Sequence, residues 1–330
     1  MSLSQFAKAA LLVAAGLLFA AGARAQDLEI RFKTTPQIEH LRPYADPATM
    51  SLLIAGSDGR PVRQGTVHIR LDAPRSGRFF STDFPWVEGS RLQEMRLDLS
   101  QGRANWKYLF PIRGQYRLGV DVETRDGKKA SKEFTFRIRE REEKWAILAG
   151  FSVALVCLGF VAGRIFTRVP AAAIALALGL CLASDGFTAN EKASDGDDAA
   201  LEIEPPTVGT PALLHWHAPV AATGEGSPEA LSLSIVHLEK GKTAFELERI
   251  PIVGDFSMKF EFTDGAEYRV SALGEQAGKP PRRSEKIISA TALEPPTRAM
   301  IPAFAYFIGL IVLGLGAGRW SKRGRVRGRA

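Results

Sequence analysis

His215-Trp216-His217 is the place in the 330-residue chain where side chains able to ligate a metal recur at a telling interval. The triplet lies in the apolar run ALLHWHAPV, which has strand character. On a strand, residues i and i+2 share a face, so both imidazoles can reach one ion while Trp216 packs on the other side. His237, ending the strand-like ALSLSIVH, is the candidate for a third nitrogen. Imidazole donors suit Cu, Zn or Ni, and copper is the candidate cofactor. His237 is also in phase with Leu231, Leu233 and Ile235, as a core histidine would be, and all three histidines can equally be strand residues with local partners. The first half of the chain holds only His40 and His68 and no His-x-His.

A second feature is Ser81-Thr82-Asp83-Phe84-Pro85-Trp86-Val87-Glu88-Gly89, an aromatic-rich connection. Exposed, Phe84 and Trp86 would dock a partner; turned inward, they would cap the end of a core. Enzyme signatures are missing: the sequence has no G-x-S-x-G, P-loop, H-E-x-x-H or glycine-rich dinucleotide fingerprint. The acid pairs Asp83/Glu88 and Glu202/Glu204 read as solvated loop residues, so the expectation is a protein that is not an enzyme.

The elements that must carry these residues fall into alternating soluble and apolar blocks. Residues 1–25 have Lys8, an apolar run and Ala23-Arg24-Ala25, the pattern of a secretory signal peptide. Residues 26–142 alternate apolar and polar side chains in about seven short runs, with turn signals at Asp58-Gly59, Gln101-Gly102 and Asp126-Gly127. Residues 201–295 repeat that texture. The predicted fold class is mainly β: two immunoglobulin-like β-sandwich domains plus three transmembrane helices at 145–166, 169–184 and 300–318. The middle span is the shortest and could also be a buried helix or a signal-type apolar region, retained or cleaved near Ser184. An acidic linker at 185–200 and a basic tail at 319–330 complete the chain.

The net charge of +7 looks like that of a nucleic-acid binder until the charges are placed. Arg164 and Arg168, six cations in 319–330, and Lys8 and Arg24 account for ten positive charges, leaving about −3 elsewhere. No nucleic acid is expected as a partner. Positive residues mark the cytoplasmic side, which puts the protein in the bacterial inner membrane with both sandwiches periplasmic and the C-terminus cytoplasmic. Cys157 and Cys181 lie inside apolar runs, so the soluble blocks have no disulfide framework.

The halves resemble each other. Leu158-Gly159-Phe160-Val161-Ala162-Gly163-Arg164 matches Leu313-Gly314-Leu315-Gly316-Ala317-Gly318-Arg319, and Gly114-Gln115-Tyr116-Arg117-Leu118 resembles Gly265-Ala266-Glu267-Tyr268-Arg269-Val270. A tandem duplication of leader, sandwich and anchor is expected. Each anchor carries Gly-x-x-x-Gly, Gly159/Gly163 and Gly314/Gly318, which lets helix backbones approach closely; general glycine enrichment in membrane helices is the alternative.

The runs GRPVRQGTVHIRLDAP, DFPWVEG and FPIRGQYRLGVDV, with GAEYRVSAL in the second half, resemble YtkA-like or FixH-like domains, small exported β-sandwiches. The resemblance covers the sandwiches and not the membrane segments. It implies an immunoglobulin-like fold and a role near metal handling or the assembly of respiratory metalloenzymes. The resulting expectation is an accessory or assembly factor for a membrane metalloprotein complex, with copper bound at His215 and His217. A purely structural subunit, or a sensor or transport component hinged at 185–200, are the alternatives.

Overall fold

Alternating burial runs through most strands of the computed structural model, which describes residues 28–77, 80–99, 101–165, 200–218, 229–294 and 296–327. The first half contributes β1 (Leu28–Thr35), β2 (Ala48–Gly56), β3 (Gly65–Asp72), β4 (Arg91–Asp98), β5 (Arg103–Tyr108), β6 (Gly114–Thr124) and β7 (Lys129–Ile138). The second contributes β8 (Leu201–Ile203), β9 (Ala212–Trp216), β10 (Glu229–His237), β11 (Lys242–Ile252), β12 (Phe256–Phe260), β13 (Glu267–Gln276) and β14 (Arg282–Ser289). In β2 the buried set is Ala48, Met50, Leu52 and Ile54; in β6 it is Tyr116, Leu118, Val120 and Val122. The intervening residues face outward, the period-2 signature of a half-buried antiparallel strand.

All ladders between these strands are antiparallel. In the first half β1-β2-β5 form one layer and β7-β6-β3-β4 the other; in the second, β8-β9-β12 and β14-β13-β10-β11 do the same. The strand order of one half is that of the other, and each is an immunoglobulin-like sandwich of three plus four strands.

The two sandwiches are joined edge to edge. β5 pairs with β11 (Tyr108 opposite Phe245, Trp106 opposite Leu247), and β4 pairs with β12 (Met95 opposite Met258, Gln93 opposite Phe260). The three-stranded layer of each half thus continues into the four-stranded layer of the other, giving two seven-stranded sheets over one continuous core. Because β4 and β11 hold equivalent places, as do β5 and β12, the two junctions exchange roles as they would across a twofold axis. Tyr108 of the first half approaches Phe260 of the second to 6.3 Å between ring centres, so aromatic packing crosses the seam, and Phe245 backs Phe260 at 5.7 Å from within the second half. Leu109 N donates to Ala244 O, and Glu261 N donates to Leu92 O, each at 2.9 Å. The side chain of Glu261 is fully buried beside this junction.

Two helices follow the sandwiches: α1 (Glu142–Ile165) and α2 (Thr297–Arg327). Among the described residues these are the two helices long and apolar enough to cross a membrane, over Glu142–Ile165 and Ala299–Lys322. Three spans were expected from the sequence. The proposed 169–184 span lies outside the described residues, as do the 1–25 leader and all but the end of the 185–200 linker. α1 begins three residues before the expected 145, because Glu142, Glu143 and Lys144 are good helix formers, and α2 runs past 318 into the basic tail.

Candidate metal centre and packing sites

β9 carries His215 and buries Trp216 on the opposite face, and His217, one residue past the strand's end, stands beside His215. The imidazole rings stand 4.3 Å apart, centre to centre. β12 is the adjacent strand, and its entry turn brings Asp255 to the pair. Gly254, in the left-handed region at φ +82, makes that turn possible. Asp255 Oδ1 accepts from Ala218 N at 2.9 Å, while Oδ2 lies 3.4 Å from His215 Nε2 and 3.7 Å from His217 Nδ1. The Ala218 amide first, and the His215 and His217 rings with it, hold the Asp255 carboxyl below the usual range against a partial offset from burial. One donor atom from each of His215, His217 and Asp255 falls within 4.8 Å of the others. On the far side of His217, Nε2 lies 3.6 Å from Glu202 Oε2. Arg282 donates to His217 O at 3.2 Å and lies over the Trp216 ring, fixing the backbone beneath the site.

His237 does not join this group. β9 belongs to the sheet containing β8 and β12, whereas β10 belongs to the opposite sheet, so consecutive strands carry their histidines to different layers. His237 is buried, and its Nε2 lies 3.0 Å from Asp264. Asp264 also accepts from Tyr268 OH at 2.5 Å and pairs with Lys240. Burial pushes the Asp264 carboxyl up, but Lys240, Tyr268 and His237 together bring it below its ordinary value. The structure thus replaces the third expected nitrogen with Asp255. No sequence signal singled it out, since an aspartate before a strand is ordinary turn chemistry.

Phe84 and Trp86 dock inside the chain. Trp86 Nε1 donates to Thr263 O at 3.1 Å, and Phe84 packs on Tyr44 at 5.2 Å. Tyr44 OH meets Thr263 Oγ1 at 2.6 Å, and Lys240 Nζ sits 3.9 Å from the centre of the Tyr44 ring. The aromatic loop of the first sandwich is therefore a clasp on the second. Both aromatic residues are half-buried against the common core.

The four glycines of the two Gly-x-x-x-Gly motifs lie at one helix contact. A Cβ on Gly159 would stand 2.5 Å from Ile311 O, and one on Gly163, Gly314 or Gly318 would press on Leu315 O, Val156 O or Phe160 O. Phe151 meets Phe307 at 5.5 Å, Ser152 Oγ meets Tyr306 OH at 3.0 Å, and Lys322 donates to Arg164 O at 3.2 Å. Sequence numbers rise together along both helices, so α1 and α2 run parallel, backbone against backbone. A collar ties α1 to the first sandwich: Arg113 pairs with Glu140 at 2.9 Å and lies over Trp145, and Lys144 pairs with Asp83. The histidine centre lies at the opposite end of the sheets, beside Trp216 and Glu229, where β10 begins.

No family model and no curated protein matches the chain. Among solved structures, it is similar to the adhesin InvE of Yersinia pseudotuberculosis at 9% identity, covering 81% of this chain and 61% of that one, with a TM-score of 0.22. It is similar to a two-domain fibronectin type III segment of chicken tenascin at 10% identity, covering 80% of this chain and 98% of that one, with a TM-score of 0.19. The chain thus spans about three fifths of the adhesin's length. Its own strands give a mainly β fold with two antiparallel sheets.

Proposed function

We propose that the protein is a non-enzymatic membrane-anchored factor of the bacterial inner membrane that carries two immunoglobulin-like sandwiches on the periplasmic side. It serves as an accessory or assembly factor for a membrane metalloprotein complex, with copper as its candidate metal. The observation that carries this reading is the glycine-on-glycine pairing of α1 and α2 beneath a fused double sandwich. Two parallel apolar helices ending in cationic residues fit an anchor with a cytoplasmic C-terminus. The matching strand order of the halves supports a tandem duplication, and the resemblance to YtkA-like and FixH-like domains supports the metalloprotein context.

The seam between the sandwiches also favours the purely structural reading, in which the chain holds a larger complex together without handling metal. Purification of the full chain from native membranes in mild detergent, with and without a chelator, separates the two. A stoichiometric metalloprotein partner whose association depends on metal supports the first reading. Metal-independent association supports the second, and recovery of the chain with no membrane partner refutes both.

A further inference from the structure

We propose that His215 Nε2, His217 Nδ1 and Asp255 Oδ2 are three protein ligands of one divalent ion, Cu(II) or Zn(II), with a fourth position left open. Tetrahedral bonds of about 2.0–2.1 Å put ligand atoms roughly 3.4 Å apart. The separations of 3.4 and 3.7 Å from Asp255 Oδ2 to the two rings approach that spacing. The aspartate is divided in its work. Oδ1 is held by the Ala218 amide, so Oδ2 is left facing the rings.

Glu202 completes the arrangement from outside. With Nδ1 of His217 turned to the ion, Nε2 carries the proton and faces Glu202 Oε2 at 3.6 Å. That is an ion-pair separation, a few tenths of an ångström longer than the hydrogen bond by which a carboxylate orients a metal-ligating ring and raises its basicity, and closing it on metal binding would make that relation. Glu202 is thus a positioning residue, while Asp255 is a ligand. Two imidazoles and a carboxylate are borderline-to-hard donors, which select Cu(II) or Zn(II) over Cu(I), whose preference is for thiolate and thioether. With three protein ligands and partly exposed rings, the ion keeps a place for water or for a donor from another protein. The ligand set deepens the accessory-factor reading and rests on it for the purpose the metal serves.

The test uses untagged full-length protein in detergent, stripped of metal and titrated with Cu(II), Zn(II) and Cu(I) salts. The expected result is one Cu(II) per chain, bound more tightly than Zn(II), with an electron paramagnetic resonance spectrum showing coupling to imidazole nitrogen. His215→Ala with His217→Ala abolishes this binding. Asp255→Asn keeps the Oδ1 acceptor but removes the ligating oxygen, and it weakens Cu(II) at least tenfold. Glu202→Gln weakens it by roughly 10–100-fold. Absence of one-to-one binding, a spectrum without nitrogen coupling, tighter binding of Cu(I) than Cu(II), or unchanged affinity in Asp255→Asn overturns the proposal. The spectrum is taken on the unaltered chain, so it decides even where a variant misfolds. Failure to find a membrane partner would sink the accessory-factor reading while leaving this binding result intact.

Discussion

Replacing Glu261 with glutamine should make the protein less sensitive to alkali. Glu261 follows β12 at the seam and its side chain is fully buried, with no well-formed hydrogen bond to either carboxyl oxygen among the described residues; the nearby Ser90 hydroxyl donates instead to Val87 O at 2.7 Å. Burial pushes the carboxyl from 4.5 up to about 8. Below pH 4.5 the group is neutral in both the folded and unfolded chain, and its contribution to stability is intact. As pH rises from 4.5 to 8, the unfolded chain ionises it freely while the folded chain resists, so stability falls across this window. At 1.36 kcal/mol per pH unit, the full difference is about 5 kcal/mol. For a body of this size that corresponds to roughly 10–20 °C in Tm. The assay is far-UV circular dichroism melting of the detergent-solubilised chain between pH 5 and 9, for wild type and Glu261→Gln. Groups held low in the fold, such as Asp255 and Asp264, are common to both proteins and cancel in the difference. The wild-type Tm should drop relative to the variant as pH rises. Parallel curves would refute the argument.

Three further outcomes follow from the packing. Gly163→Leu drives a side chain into the Leu315 backbone, at a cost of about 1–3 kcal/mol; disulfide trapping between cysteines placed at Ser152 and Tyr306 should fall several-fold, and undiminished trapping would contradict the close helix contact. Trp86→Ala removes the clasp on Thr263 and, for a half-buried ring, should destabilise the chain by about 2 kcal/mol, roughly half the cost of a fully buried one, read as a lower melting temperature and faster proteolysis at the seam; an unchanged melt would mean the clasp carries no load. Each half produced alone exposes two strand edges that the other half covers. Residues 26–166 and 185–330 should therefore aggregate separately and form a one-to-one complex when co-expressed, and two well-behaved monomers would count against the continuous sheets.

The strands and helices were legible because their signals are local. Alternation in SLLIAG and YRLGVDVE is the burial pattern of β2 and β6, and the uncharged stretch after Trp145 is the body of α1. The seam was not legible. β4 buries Leu92 and Gln93 in succession, and Glu261 is buried just beyond β12; polar residues at such places read as exposed. The His215/His217 pair was legible because its spacing is that of one strand face, whereas His237 misled because neighbours in sequence cross to opposite layers of a sandwich. Asp255 reaches the histidines only through the pairing of β12 with β9, a contact that spans about forty residues of chain and leaves no periodicity to detect.

Paired helices beneath a fused head also fix an attitude and a height. A head on one helix can swivel about that helix as on a pivot; a head whose two halves each stand on their own leg, with the legs locked side by side, cannot turn without shearing either the seam or the helix contact. β13 runs ten residues from the helix end to the histidine end, about 30 Å at strand rise. Any bound ion would thus be held like a lamp on a braced post, at a set distance above the helix pair and facing a set direction. On the accessory-factor reading proposed above, a partner would have to bring its own receiving site to that level, and the post would act as a ruler selecting among neighbours by the height of their docking surface.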